Sequence, residues 1–203
     1  MAGTRLHEAS GAGPPFGVVL AGGAGRRIGG DKAVVQLAGR PLLHYPLAVL
    51  EMVLDEVAVV AKRDTVLPAL PDDVPVWVEP AQPQHPLAGV AHALRCAGER
   101  PVLVCAVDLP LVTPGVMREL LLAEPGDAPV VVPRAAGRLE PLCALYLPQA
   151  LAALAGFPPD ARATDVVAGM GPAVVDVEDA EAFFNINAPE DVLQASTMIA
   201  ARR

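Results

Sequence analysis

The sequence predicts an α/β fold, a three-layer αβα sandwich in which helices cover both faces of a mostly parallel central sheet. Short apolar runs alternate along the chain with longer segments of helical spacing, and this alternation is typical of strands buried on both faces. Apolar residues make up 53% of the chain and aromatic residues 3%, so we expect a core of Val, Leu and Ala. The length of 203 residues suits one domain. We predict a disordered tail over residues 1–15 and a single domain over residues 16–203.

The individual elements follow from the spacing of apolar residues. Compact apolar runs predict strands over residues 16–21, 56–61, 74–78, 101–107 and 129–132. Helical spacing predicts helices over residues 41–54, 86–97 and 114–123. Pro46 is expected to kink or restart the first helix, and a further helix is expected after Asn187. Residues 142–147 and 173–177 are expected to add strands at an edge of the sheet.

Composition excludes several classes of function. The formal net charge of −8 argues against a nucleic-acid partner or an anionic membrane surface, because phosphate groups bind to basic faces. The first 15 residues have no apolar run, so we expect neither a signal peptide nor a membrane anchor there, and no other run approaches the roughly 20 apolar residues of a membrane span. We therefore expect a cytoplasmic protein. Cys96, Cys105 and Cys143 include no CxxC pair, and we expect them to be buried small hydrophobic residues rather than disulfide or zinc ligands.

A glycine-rich loop follows the first predicted strand. Five of the nine residues over 22–30 are glycine, which lets backbone N–H groups approach an anion closely. Arg26 and Lys32 add positive charge to this loop. Ligands of open α/β sheets bind at the carboxyl ends of the strands, so the loop predicts a phosphate site. A solvated charged turn with incidental glycines is the alternative interpretation.

Two common phosphate-binding motifs do not fit this loop. The dinucleotide-binding pattern requires glycine where Ile28 stands, and the P-loop requires Lys directly after its second glycine, where Asp31 intervenes. The chain has 13 arginines but only two lysines, Lys32 and Lys62. A lysine beside the loop therefore indicates a need for a compact point charge, which a planar guanidinium does not supply.

A carboxylate stands directly after the predicted strand over residues 101–107. Asp108 is followed by Leu109 and Pro110, so a rigid element presents its side chain at the edge where ligands bind. Mg²⁺ commonly takes one or two protein carboxylates and completes its coordination with phosphate oxygens and water. Asp108 is therefore a candidate magnesium ligand, and a structural turn or helix-cap residue is the alternative.

Two asparagines precede the last predicted helix. Asn187 and Glu190 have the spacing of a helix-capping arrangement, which is a purely structural interpretation. The functional interpretation places Asn187 near a metal–phosphate cluster and Asn185 in contact with substrate. The two interpretations of Asn187 are compatible.

Several blocks of the sequence together resemble the molybdenum cofactor guanylyltransferases. The blocks are Leu20-Ala21-Gly22-Gly23, Asp31-Lys32, Gly39-Arg40-Pro41-Leu42, Pro86-Leu87-Ala88-Gly89, Asp108, Pro141-Leu142 and Asn185-Ile186-Asn187-Ala188-Pro189-Glu190. Their order and spacing cover about residues 16–195. The resemblance implies a Rossmann-like fold of the nucleotide-diphospho-sugar transferase type. It also implies transfer of GMP from GTP to the phosphate of molybdenum-loaded molybdopterin, with release of pyrophosphate.

The resemblance also assigns roles to residues. Arg26 and Lys32 would steady the departing phosphates, Asp108 would bind Mg²⁺, and Asn185 and Asn187 would contact substrate. The nucleotide would contact Leu20, Ala21, Gly22, Gly23, Lys32 and Asp108. GTP and molybdenum-molybdopterin are the implied substrates, and acceptor molybdoenzymes or their chaperones are further candidate partners.

Three positions depart from the family pattern. Val60 stands where the family has Asn, Pro80 aligns with a family Asp, and His85 replaces a glycine. Base recognition is therefore less well supported than phosphate binding. A cytidylyltransferase or another small-substrate nucleotidyltransferase is one alternative, although those cytidylyltransferases usually have Ala-Ala-Gly at positions 21–23. A non-catalytic nucleotide or pterin carrier is a second, but a carrier would need neither Lys32 nor Asp108.

Overall fold

The computed structural model describes residues 13–22 and 31–202 of the chain. These residues fold around a central sheet. The strands are β1 (Phe16–Leu20), β2 (Gln36–Leu37), β3 (Arg40–Pro41), β4 (Val57–Lys62), β5 (Val76–Glu79), β6 (Val102–Ala106), β7 (Val130–Ala135), β8 (Arg138–Leu139), β9 (Cys143–Tyr146) and β10 (Ala173–Asp176). The helices are α1 (His44–Glu51), α2 (Pro86–Ala97), α3 (Pro114–Leu122), α4 (Ala150–Leu154), α5 (Ala163–Gly169) and α6 (Pro189–Ala201). Short 3-10 turns lie at Lys32–Val34 and Ala180–Phe183.

The predicted sheet is confirmed, with one correction to its order. Its strands lie in the order β10-β7-β9-β6-β1-β4-β5, and β8 pairs with β7. β1 is parallel to both neighbours, whereas β9 is antiparallel to β6 and β7. The expectation of an edge strand over residues 142–147 is wrong, because β9 lies inside the sheet with all four residues buried. The expectation for residues 173–177 is confirmed, since β10 forms an edge.

Helices cover both faces of the sheet and give two core layers. Alternate residues of each strand point to opposite faces, so Val19 and Leu103 join one layer while Val18 and Val104 join the other. The first layer packs against α1 and α3, and the second against α2, α4 and α5. A third, smaller cluster joins α6 to the β2–β3 hairpin. The three-layer αβα sandwich is therefore confirmed.

Local sequence explains where the helices begin. Thr113 caps α3, as its hydroxyl accepts a hydrogen bond from Val116 N at 3.3 Å, and Pro114 occupies the first helical position. Helix α1 begins at His44, later than predicted. Pro46 consequently lies in the first turn, where its missing N–H breaks no helical hydrogen bond, and the predicted kink or restart is not needed.

The expected burial of the three cysteines can be compared with the structure. Cys105 and Cys143 are buried as expected, but Cys96 is exposed on α2, so the expectation for that residue is wrong. Helical spacing brings one side of α2 to the solvent, and Cys96 falls on that side.

In the described part of the chain, none of the helices has both the length and the apolar character to cross a membrane. The predicted division into a tail and one domain stays a prediction.

Candidate active site

The carboxyl ends of β1 and β6 meet at one edge of the sheet. Val107 N donates to Leu20 O at 3.0 Å, which holds the residues leaving the two strands side by side. Asp108 follows directly, and its carbonyl oxygen accepts a hydrogen bond from Ile186 N at 3.0 Å. The segment before α6 is thereby held against the end of β6. These backbone contacts bring together three parts of the chain that are far apart in sequence.

A polar cluster of Lys32, Asp108 and Asn187 lies at this junction. Lys32 Nζ lies 2.8 Å from Asp108 Oδ2 and 2.7 Å from Asn187 Oδ1. These partners are 76 and 155 positions away from Lys32 in the sequence. The Lys32 and Asp108 side chains are 13% and 19% exposed, so both remain accessible to a ligand. The structure thus brings together three residues that the sequence predicted for the site.

Asn187 does not cap α6 in the predicted way. The carboxylate of Asp191 accepts hydrogen bonds from Asn187 N at 2.7 Å and Ala188 N at 2.8 Å. The cap of this helix therefore depends on Asp191, and the predicted pairing of Asn187 with Glu190 is wrong. The Asn187 side chain is left to contact Lys32. Asn185 is exposed, and its amide nitrogen lies 3.5 Å from Phe183 O within its own segment.

A cavity extends from this cluster along the end of β1 towards β5. Its walls include Leu20, Gly22, Lys32, Val60, Glu79 and Asp108. Ala21 lies behind this wall, where it is buried and donates its N–H to Val60 O at 2.8 Å. Gly23 and Arg26, the other predicted residues of the loop, lie outside the described residues.

Glu79 is a functional candidate that the sequence analysis missed. It ends β5, is buried to 7% exposure, and lines the cavity beside Gly22 and Gly89. A Cβ atom on Gly22 would lie 2.7 Å from Glu79 Oε1, and one on Gly89 would lie 3.3 Å from Glu79 Oε2. The two glycines therefore leave the space that this carboxylate occupies. An acidic residue at the carboxyl end of a strand, as at Asp108, was the signal that could have identified it.

The three departures from the family pattern have distinct structural settings. Val60 contributes an apolar side chain to the cavity wall. Pro80 is exposed, and the carboxylate in the cavity comes instead from its neighbour, Glu79. His85 caps α2, as its Nδ1 accepts from Leu87 N at 3.1 Å while its Nε2 lies 2.9 Å from Ala161 O. Because Nδ1 accepts, Nε2 carries the proton and donates, so His85 is a structural cap.

The side-chain oxygens of the polar cluster are of the kind that bind a hard cation. Asp108 Oδ2 and Asn187 Oδ1 already surround one positive charge, the ammonium of Lys32. Carboxylate and amide oxygens are ligands that Mg²⁺ accepts, and one or two protein carboxylates are sufficient when phosphates supply the rest. Among the described residues, no group of three or more His, Cys, Asp or Glu side chains is placed to hold a metal.

Comparison with known proteins assigns the chain to a family. The sequence profile of the MobA-like NTP transferase domain matches residues 17–175. The chain belongs to the MobA-like NTP transferase family. A protein of Cereibacter sphaeroides named molybdenum cofactor guanylyltransferase is 36% identical over 196 residues, which cover 91% of this chain and 96% of that relative. The predicted family resemblance is confirmed.

Solved structures of MobA-like and related proteins share the fold. One is the molybdopterin-guanine dinucleotide biosynthesis protein A from Archaeoglobus fulgidus, with a TM-score of 0.66 and 25% identity over 92% of this chain and 99% of that chain. Another is the 2-C-methyl-D-erythritol 4-phosphate cytidylyltransferase from Thermus thermophilus, with a TM-score of 0.65, 23% identity, and coverage of 90% and 98%. The second likeness concerns the fold alone. A nucleotidyltransferase fold of the nucleotide-diphospho-sugar transferase type is therefore confirmed.

Proposed function

We propose that the chain is a Mg²⁺-dependent molybdenum cofactor guanylyltransferase. An oxygen of the terminal phosphate of molybdenum-molybdopterin attacks the α-phosphorus of GTP. A new P–O–P bond forms, the bond from the α-phosphorus to the bridging oxygen breaks, and pyrophosphate leaves with that electron pair. The observation that carries this proposal is the contact of Lys32 with both Asp108 and Asn187, which brings a point charge and two side-chain oxygens together beyond the end of β6.

The polar cluster supplies charge neutralisation and positioning. The Lys32 ammonium can move from its carboxylate partner to an incoming phosphate, because its four-carbon stem is flexible and the side chain is partly exposed. There, together with Arg26, it would stabilise the charge that develops on the departing pyrophosphate. Asn185, on the segment before α6, would contact the acceptor.

Asp108 is the residue that would hold Mg²⁺, with Asn187 as a neighbouring oxygen donor. When bound, the metal supplies positive charge that offsets the charge on the triphosphate oxygens. If Lys32 turned to the phosphates, its two oxygen partners would be available to hold the metal. The same two oxygens would therefore contact a cation both with and without the nucleotide, and Asp108 would supply the negative charge.

The other end of the cavity supports guanine as the base. A carboxylate is an acceptor with two oxygens, and it can pair with a base edge that offers two adjacent donors. Guanine offers N1–H and its 2-amino group, whereas the corresponding edge of cytosine offers one amino donor beside a ring acceptor. Glu79 lines the cavity at this end, and Gly22 leaves room for its carboxylate.

Turnover of each nucleoside triphosphate tests the proposal. The protein is incubated with Mg²⁺, molybdenum-loaded molybdopterin and GTP, CTP, ATP or UTP in turn, and pyrophosphate release is measured. We expect GTP to be the preferred donor and the dinucleotide to appear in equal amount to pyrophosphate. Equal or faster turnover of CTP would overturn the guanylyl assignment and favour the cytidylyltransferase alternative. Tight nucleotide binding with no pyrophosphate release from any donor would favour the carrier.

A further inference from the structure

Lys62 is one of the two lysines of the chain, and the proposed reaction leaves it without a role. It ends β4 and is the register partner of Glu79 across the parallel pair of β4 and β5. Its Nζ lies 3.6 Å from Glu79 Oε1, 3.3 Å from Pro80 O and 3.2 Å from Ala81 O. These three contacts fall on consecutive residues, so one ammonium group holds the carboxylate and the turn that follows it.

Glu79 has a physical need for such a partner. Its side chain is only 6% exposed, and burying an ionised carboxylate costs several kcal/mol unless a cation or hydrogen-bond donors compensate. On the cavity side, the carboxylate faces the backbone at Gly22 and Gly89, where neither residue has a side chain to hold it. Lys62 is itself held by two backbone carbonyls of the turn that follows Glu79 and is 23% exposed. A lysine fixed in this way limits the directions that the Glu79 carboxylate can take.

We propose that Lys62 is a positioning residue for base selection, which orients the Glu79 carboxylate towards the N1–H and 2-amino donors of a guanine base. Of the described residues that line the cavity, Glu79 is one and Lys62 is not, so Lys62 acts through Glu79. This inference rests on the proposed function, because it requires that the cavity at Glu79 receives the base. Lys62 on β4 would fix the orientation of Glu79 on β5, and Glu79 would make the contact that selects the base.

Kinetic comparison of GTP with ITP, which lacks the 2-amino group, tests this role. Lys62→Met removes the charge but keeps an unbranched stem, Lys62→Arg restores a cation, and Arg63→Met removes a neighbouring exposed cation as the matched control. For Lys62→Met we expect the KM for GTP to rise about tenfold, with a smaller change in kcat and a reduced preference for GTP over ITP. Lys62→Arg should recover most of the preference, and Arg63→Met should behave as the wild type.

A double-mutant cycle separates action through Glu79 from a direct contact with nucleotide. Glu79→Gln alone should reduce the preference for GTP over ITP, and adding Lys62→Met to it should cause little further loss. Because the glutamine side chain is neutral, the double variant carries no unpaired buried charge and remains informative even where Lys62→Met alone folds poorly. Additive losses, or Lys62→Met with wild-type KM and selectivity, would overturn the proposal. A wild-type protein that does not prefer GTP contradicts the proposed function instead, whatever the variants show.

Discussion

The two ends of the cavity lined by Lys32 and Glu79 are built in opposite ways. At the end that we propose binds phosphate, the phosphate end, Lys32 contacts both Asp108 and Asn187, and the three partly exposed side chains come from distant parts of the chain. At the end that we propose receives the base, the base end, Glu79 is a single buried carboxylate beside two glycines and a lysine. The first arrangement leaves charged groups able to change partners, whereas the second holds one group still. The difference predicts that variants at the phosphate end affect kcat, and that variants at the base end affect KM and selectivity.

The largest expected effect comes from Asp108→Asn. Asparagine keeps the size but removes the charge that would bind Mg²⁺ and that pairs with Lys32, so we expect kcat to fall at least about a hundredfold. The melting temperature should change little, because β6 and the contact of Val107 with Leu20 fix the backbone. Mg²⁺ titrations of pyrophosphate release check this, with the exposed Asp127→Asn as the control. Normal Mg²⁺ affinity and rate would refute the metal role.

Lys32→Ala is expected to have the next largest effect. The loss should appear mainly in kcat, by about tenfold to a hundredfold, because we propose that the ammonium stabilises charge that develops during the transfer. Arginine at this position should rescue poorly, since a planar guanidinium does not replace a point charge between two oxygens. Steady-state kinetics with the exposed Arg118→Ala as control test this. A rise in the KM for GTP at constant kcat would place Lys32 in ground-state binding.

Gly22→Ala tests the base end by a steric route. The new Cβ would lie 2.7 Å from Glu79 Oε1, so the carboxylate must move and we expect the preference for GTP over ITP to fall about tenfold. The melting temperature should hardly change, because the displaced atom is the tip of a side chain. Gly169→Ala is the matched control, as the same atom there meets nothing within 4 Å. A loss confined to kcat would contradict the division between the two ends.

Tyr146→Phe is expected to have the smallest effect and to change neither end. The buried phenol donates to Pro141 O at 2.8 Å, and its loss should cost about 1 kcal/mol of unfolding free energy without altering kinetics. Burial raises the pKa of Tyr146, so folding favours the protonated phenol. Wild-type stability should therefore fall, relative to the variant, as pH rises through the ordinary tyrosine pKa of about 10. Urea unfolding at neutral and alkaline pH checks both expectations.

The contrast between the two ends of the cavity also explains which site residues could be predicted from the sequence. Lys32, Asp108 and Asn187 adjoin apolar runs or glycines, so strand-end reasoning and the family blocks identified them. Glu79 was missed because the family pattern places its acid one position later, at Pro80, although Glu79 directly follows the strand predicted over residues 74–78, as Asp108 follows its own. Its selection as a site residue depends on pairing between β4 and β5, which spacing within one segment does not reveal.

Pairing between strands that are distant in sequence also accounts for the errors in the predicted fold. The parallel strands were predictable because each is an isolated apolar run between helical segments. The interior place of β9 was not, because its apolar pattern fits any buried position and only its neighbours decide where it inserts. Strands as short as β2, β3 and β8 have too few residues to show any periodicity.

The position of β9 has a consequence for how the chain is made. β6 and β7 are separated in the finished sheet by a strand that leaves the ribosome after both of them. The half of the sheet formed by β5, β4, β1 and β6 can assemble early, whereas the other half must wait for β9 to enter between existing neighbours. Because Asn187 is translated later still, a nascent chain would hold the Glu79 end of its cavity before it could complete the end at Asp108.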